Sequence, residues 1–292
     1  MTFTPTFPLS GGGRPRGTIF LRLKGGWRRF ARTLLLVLAS STLLLFPALA
    51  ASGKRPPPPG AFAGAPPEFT RFSEHELARG FMVLAFGSDL LIGKRPKGIR
   101  RYTHPIHARV IATGSVDRAQ AMTNILKEYA RKIPNLHLSI VGSDERADIE
   151  VRLIDEENFK SALEAAFGIK ITHTFVERTD PQCMSSVKSD ASGEIIHSIS
   201  FIIVDKGKEV FLDCAYHELL HSFGLSNHDQ SNPWTTLNQR RMVGYLTVYD
   251  RSLLTLLYDP RMEPGMSRRE VQALLPKLIK DLGLAIASAH RR

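Results

Sequence analysis

The chain has 292 residues, 43% of them hydrophobic and 23% charged, long enough for one or two domains with a buried core. The formal net charge is +11, but Arg14, Arg16, Arg22, Lys24, Arg28, Arg29 and Arg32 supply seven of those charges, with no acid among residues 1–50. The rest of the chain, at +4, gives no argument for a nucleic-acid partner.

From the start, a basic stretch ends at Arg32, the apolar run LLLVLASSTLLLF (34–46) follows, and small residues stand at Ala48 and Ala50. That order is the order of an export signal, and about 13 apolar residues fall short of the ~20 a bilayer span needs. Residues 1–50 are therefore read first as a cleaved signal peptide, with an uncleaved anchor as the alternative. The protein is expected to be exported, periplasmic or secreted, touching a membrane only through an uncleaved signal. KRPPPPGAFAGAPPEF (54–69) cannot pack as helix or strand, so residues 51–71 are read as a Pro-rich, disordered linker. A single domain is expected over residues 72–292.

The pattern in that domain predicts a helix over 73–87, with a Ser73–Glu76 capping box and Leu77, Phe81, Leu84 and Ala85 on one face. A strand (105–112) and an amphipathic helix (117–133) follow. Leu136, Leu138 and Ile140 alternate, as do Ile149, Val151 and Leu153, which predicts strands over 136–142 and 147–155. A helix is expected over 156–168, a strand over 169–177 and a polar loop over 178–194. The run IIHSISFIIV (195–204) is too apolar for a half-exposed strand and is placed inside the sheet. Further helices are expected over 211–223, ended by Gly224, over 244–259 and over 267–283. This order predicts an α+β domain with a twisted mixed sheet.

The helix over 211–223 carries the chemistry. His217-Glu218-Leu219-Leu220-His221 is a His-Glu-x-x-His pattern. Positions four apart on a helix are offset by only about 40° around its axis, so the two histidines share a face and can hold one zinc ion. Glu218, beside the first ligand, can reach water at that metal and act as general base. Gly224 lies where the helix must end sharply to swing a third ligand back. Tyr245 and Tyr249 are read as core residues before oxyanion donors, and Asp250 as an anchor of the motif helix or its loop. His75, His104, His107, His137, His173 and His197 are scattered singly and are read as cap, strand or surface residues.

HELLHSFGLSN (217–227) resembles the extended zinc motif of the metzincins, His-Glu-x-x-His-x-x-Gly-x-x-His, and LTVYDRSLLTLLYD (246–259) is similar to the C-terminal helix of matrixin-type domains. More closely, FMVLAFGSD (81–89), the cysteine followed by the motif helix, GLSN and LTVYDRSLLTLLYDPRMEPGM (246–266) resemble an uncharacterised bacterial family of exported proteins. That family is known only as a domain of unknown function. These resemblances imply a zincin-like fold, with an active-site helix carrying the motif and a C-terminal helical subdomain.

Two departures from the metzincin pattern follow. Position 227, where the third histidine belongs, holds Asn227, a poor zinc ligand. His228 is the first replacement and Asp229 the second. The methionine turn should fall near Thr236-Leu237, where there is no methionine; Met242 is the nearest. Cys183 and Cys214 are expected to pair in an oxidising compartment, closing a loop of about 30 residues at a gain of about 3 kcal/mol or more; free thiols or Cys214 as a metal ligand are the alternatives. The expectation is a monomeric zinc metallopeptidase acting on a peptide or protein substrate laid along an edge strand. A zincin-fold binding or structural module without activity is the competing reading.

Overall fold

The computed structural model describes residues 72–87, 96–169 and 181–289. The export signal, the Pro-rich linker and the strand expected over 169–177 lie essentially outside these. Helix α1 (Glu74–Phe86) begins with the expected capping box, in which Glu76 N–H donates to Ser73 Oγ and the Glu76 carboxylate accepts from Ser73 N–H. Strand β1 (Ile106–Ala112) leads into α2 (Ala119–Lys132), whose Met122, Ile125, Leu126 and Tyr129 are buried as the helical spacing predicts. β2 (Leu138–Ile140) is shorter than expected. The chain is still turning at Asn135, in the left-handed region at φ 62°, so the ladder starts only after it. β3 (Ile149–Ile154) and α3 (Glu156–Phe167) follow.

β4 (Cys183–Ser189) corrects the sequence expectation, which made this segment a loop. Its run CMSSVKS has one β-branched residue and little local strand propensity. Its strand form is imposed by antiparallel pairing with β5 (Ile195–Ile203), from Cys183 opposite Ile202 to Ser189 opposite Ile195. β5 is an interior strand, as its apolar composition predicted. α4 (Lys208–Ser222) is the motif helix and starts three residues earlier than expected. α5 (Val248–Leu257) starts later, because Thr247 caps it by accepting from Asp250 N–H. α6 (Arg268–Ala289) opens with a second box, Ser267 with Glu270.

The described residues thus form an α+β fold of one five-stranded mixed sheet and six helices, with strand order β2-β1-β3-β5-β4. β1, β2, β3 and β5 run parallel, and β4 is an antiparallel edge. α3 packs on one face, over Ile154, Met184, Phe201 and Ile203. The larger core lies on the other face, where α2 and α4 meet the sheet and α1, α5 and α6, packed on one another, add their apolar faces to the same core. α4 is buried on nearly every side, including Asp213, His217 and Glu218. Each fully buried Leu or Phe there contributes roughly 1.5–3 kcal/mol, whereas buried ionisable groups oppose folding unless they are paired or ligating. No helix among the described residues is long and apolar enough to cross a membrane.

Candidate metal centre

α4 is set on the sheet by covalent and polar contacts. Cys183, the first residue of β4, is disulfide-bonded to Cys214, one turn before His217. The expected pairing is therefore present, and neither cysteine is free to ligate a metal. Below Glu218 runs a chain of buried hydroxyls that the sequence reading did not find. Ser185 Oγ donates to the Glu218 carbonyl (3.1 Å), and its oxygen lies 2.7 Å from Ser200 Oγ, which lies 2.9 Å from Ser222 Oγ. Since Ser185 spends its one proton on the carbonyl, Ser200 must donate to Ser185 and Ser222 to Ser200. A hydroxyl on every second residue of an apolar strand, Ser198 and Ser200, was the available signal.

At its C-terminus α4 ends at Gly224, φ +117°, where a Cβ would meet the Arg100 carbonyl at 2.1 Å. Glycine is required there both by the backbone and by space. Past this turn the chain comes back, and His228 reaches the two helix histidines. The three Nε2 atoms form a near-equilateral triangle: 2.9 Å from His217 to His228, and 3.1 Å from His221 to each. Among the described residues this is the one group of three or more His, Cys, Asp or Glu side chains placed to hold a metal ion.

The outer nitrogens explain why the triangle suits a cation. His217 Nδ1 lies 3.0 Å from the Thr236 carbonyl and His221 Nδ1 lies 2.6 Å from the Leu225 carbonyl. A carbonyl only accepts, so each Nδ1 carries the ring proton and, in a neutral ring, Nε2 presents a lone pair. With both rings neutral, two lone pairs would face each other at 3.1 Å. A metal ion shared by the three nitrogens would turn that repulsion into coordination, and the Nδ1–H···O=C bonds are of the kind that support such ligands from outside.

Asp229, the alternative third ligand, is not in the group. Its carboxylate accepts from Arg79 Nη2 (3.1 Å) and from Ser231 N–H and Oγ–H. Asn227 donates through Nδ2 to the Val83 carbonyl, away from the triad. Glu218 is buried, at 4% exposure, next to His217 on the helix. The place expected for a methionine turn is filled by Thr235-Thr236-Leu237, with Thr236 bearing the carbonyl that orients His217; Met242 lies further along and is half-buried. Asp250 fixes this turn. It accepts from Thr235 Oγ1 (2.5 Å) and Thr236 N–H (2.9 Å), and its complete burial raises its pKa to about 6 against those bonds. It anchors the loop, one of the two roles its sequence position suggested. Tyr249 donates to the Glu76 carbonyl and is core; half-buried Tyr245 has its pKa raised by desolvation. Of the scattered histidines, His104 and His107 pair with Glu194 and Asp148 at the start of β1, away from the triad.

The chain belongs to the family described as "Protein of unknown function (DUF2927)", whose model matches residues 74–277, from the first residue of α1 into α6. A search of curated proteins found no match.

Proposed function

We propose that this member of the family is an exported, zinc-dependent metalloendopeptidase of zincin-like fold. The observation that carries the reading is the convergence of three imidazole Nε2 atoms, two of them oriented by carbonyls, around the helix that also bears Glu218. Nitrogens around a tetrahedral zinc at 2.0–2.1 Å sit about 3.3–3.4 Å apart, close to the separations found here. His217, His221 and His228 would hold the ion, and a three-histidine set leaves a position open for a reactant, as catalytic sites do and structural sites do not. Zinc, when bound there, supplies a Lewis acid that acidifies water toward neutral pH and polarises a carbonyl.

The protein's own groups do the rest. The Glu218 carboxylate takes a proton from the attacking water as the C–O bond forms. It delivers that proton to the departing nitrogen as the C–N bond breaks. Antiparallel strand β4, the edge of the sheet among the described residues and tied to α4 by the disulfide and by Ser185, would offer its outer backbone groups to an extended peptide beside the motif helix. The disulfide also supports an oxidising, extracytoplasmic location.

Glu218→Gln tests the reading, because the amide keeps the shape and loses the base. Zinc should stay bound at one equivalent while hydrolysis of a quenched peptide library falls by about 10²–10⁴-fold. An unchanged rate would sink the enzyme reading and leave a zincin-fold binding module.

A further inference from the structure

The metzincin-like motif breaks at one residue: the third histidine stands at 228, not 227. The contacts of Ser226 and Asn227 give a reason. The last carbonyls of a helix lack partners within it, and at the end of α1 Gly87 N–H reaches only the Val83 carbonyl (3.1 Å) among the cap contacts. Ser226 and Asn227 bring further donors. Ser226 N–H and Asn227 N–H both donate to the Leu84 carbonyl, at 2.8 and 3.1 Å. Asn227 Nδ2 donates to the Val83 carbonyl (3.1 Å), and Ser226 Oγ to the Gly87 carbonyl (2.8 Å). Four donors from a dipeptide close the end of a helix some 140 residues earlier in the chain.

Gly87 is shaped to this contact. Its φ of −88° suits any residue, so the backbone does not demand glycine. A Cβ there would instead lie 1.9 Å from Asn227 Nδ2 and 2.2 Å from Asn227 Cγ. Asn227 is therefore hydrogen-bonded and tightly packed against the end of α1. The residue on the other side of His228 is committed to the same helix, since Asp229 Oδ2 accepts from Arg79 Nη2 at 3.1 Å with its side chain only 5% exposed. The third ligand thus stands between two residues anchored to a single helix.

We propose that Asn227 is a positioning residue: by capping α1 it sets the register that delivers His228 to the metal, so that docking of α1 and binding of the metal are thermodynamically coupled. This rests on the triad binding metal, as proposed above. Coupling of this kind is reciprocal, so what loosens α1 from the 226–229 turn weakens metal binding by the factor with which metal tightens that turn.

The test uses the full-length chain, with zinc alone as the probe, competed against a chromophoric chelator. Asn227→Ala and Gly87→Ala should each weaken zinc by about tenfold or more, the usual effect of losing an outer support of a metal ligand. The paired exchange Asn227→His with His228→Asn should lose zinc as completely as His228→Ala, because position 227 faces α1. In the wild type, zinc should slow hydrogen exchange of the Ser226 and Asn227 amides, and in His228→Ala it should not. Wild-type zinc affinity in the paired exchange, or in both single variants, overturns the proposal. Should a variant fold poorly, the wild-type exchange experiment decides alone: equal protection at Ser226 and Asn227 with and without zinc overturns it. A wild type that binds no zinc is the distinct failure of the metal reading itself.

Discussion

The two arms of the histidine triad are built in different ways. His217 and His221 stand four residues apart on α4, and the periodicity of a helix brings them to one face before any tertiary contact is made. His228 comes from a loop, and nothing local directs it. Its place depends on α1, which takes the side chains on either side of it, and on the turn at Thr235–Leu237, where the Asp229 N–H donates to the Leu237 carbonyl. A ligand on a helix is fixed by its own element, while a ligand on a loop is only as fixed as the remote residues holding the loop. The helix arm should accordingly respond to changes that loosen α4 from the sheet, and the loop arm to changes in α1 or in the turn.

The largest effect is expected from the tie between α4 and β4. Replacing Cys183 and Cys214 together by serine opens a loop closed across 31 residues, and the unfolding free energy should fall by about 3–4 kcal/mol in urea titrations. The mechanism is chiefly a freer unfolded chain, so the folded variant should keep its three-nitrogen site. A drop below about 1 kcal/mol would show that β4 and α4 are held by packing and the hydroxyl chain alone, and would remove the covalent part of the contrast between the arms.

Asp250 lies under both arms, through Thr236 to His217 and through Leu237 to Asp229. Burial raises its folded pKa from the ordinary 3.8 to about 6, so the folded state binds the proton more tightly than the unfolded chain does. Its contribution to stability is then fully present below about pH 4 and is lost as pH rises through about 6. The shift corresponds to something on the order of 3 kcal/mol between those limits. Between pH 4 and 8 the wild type should lose about that much stability relative to Asp250→Asn, whose side chain does not ionise. A pH-independent difference between the two would mean that the bonds from Thr235 and Thr236 offset the burial, leaving an ionised carboxylate as a firm floor for both arms.

What the sequence made legible follows the same division. The helices, the interior strand β5, the disulfide and the His217–Glu218–His221 face were readable because each is written in local spacing or composition. Strand β4 was not, since CMSSVKS takes its form from β5 opposite it. His228 is legible as a candidate only because it stands next to the expected position; what engages Asp229 away from the triad is Arg79, 150 residues away. The support beneath His217 is not a methionine but a threonine carbonyl held by a buried aspartate, which side-chain spacing cannot reveal.

The smallest expected effect concerns the hydroxyl chain that seats the helix arm. Ser200 is its middle link and is completely buried. Ser200→Ala removes the acceptor of the Ser222 proton and the donor to Ser185, leaving buried polar groups less well satisfied and a gap the size of one oxygen. The cost should be about 1–3 kcal/mol, read as a lower urea midpoint with an unchanged slope. Because the bond from Ser185 to the Glu218 carbonyl survives, α4 should keep its register on β4. Zinc affinity should therefore change less than in Asn227→Ala, which acts on the loop arm while leaving this chain whole. If Ser200→Ala weakened zinc as much as Asn227→Ala, the helix arm would depend on remote support as heavily as the loop arm, and the contrast drawn from their local geometry would fail.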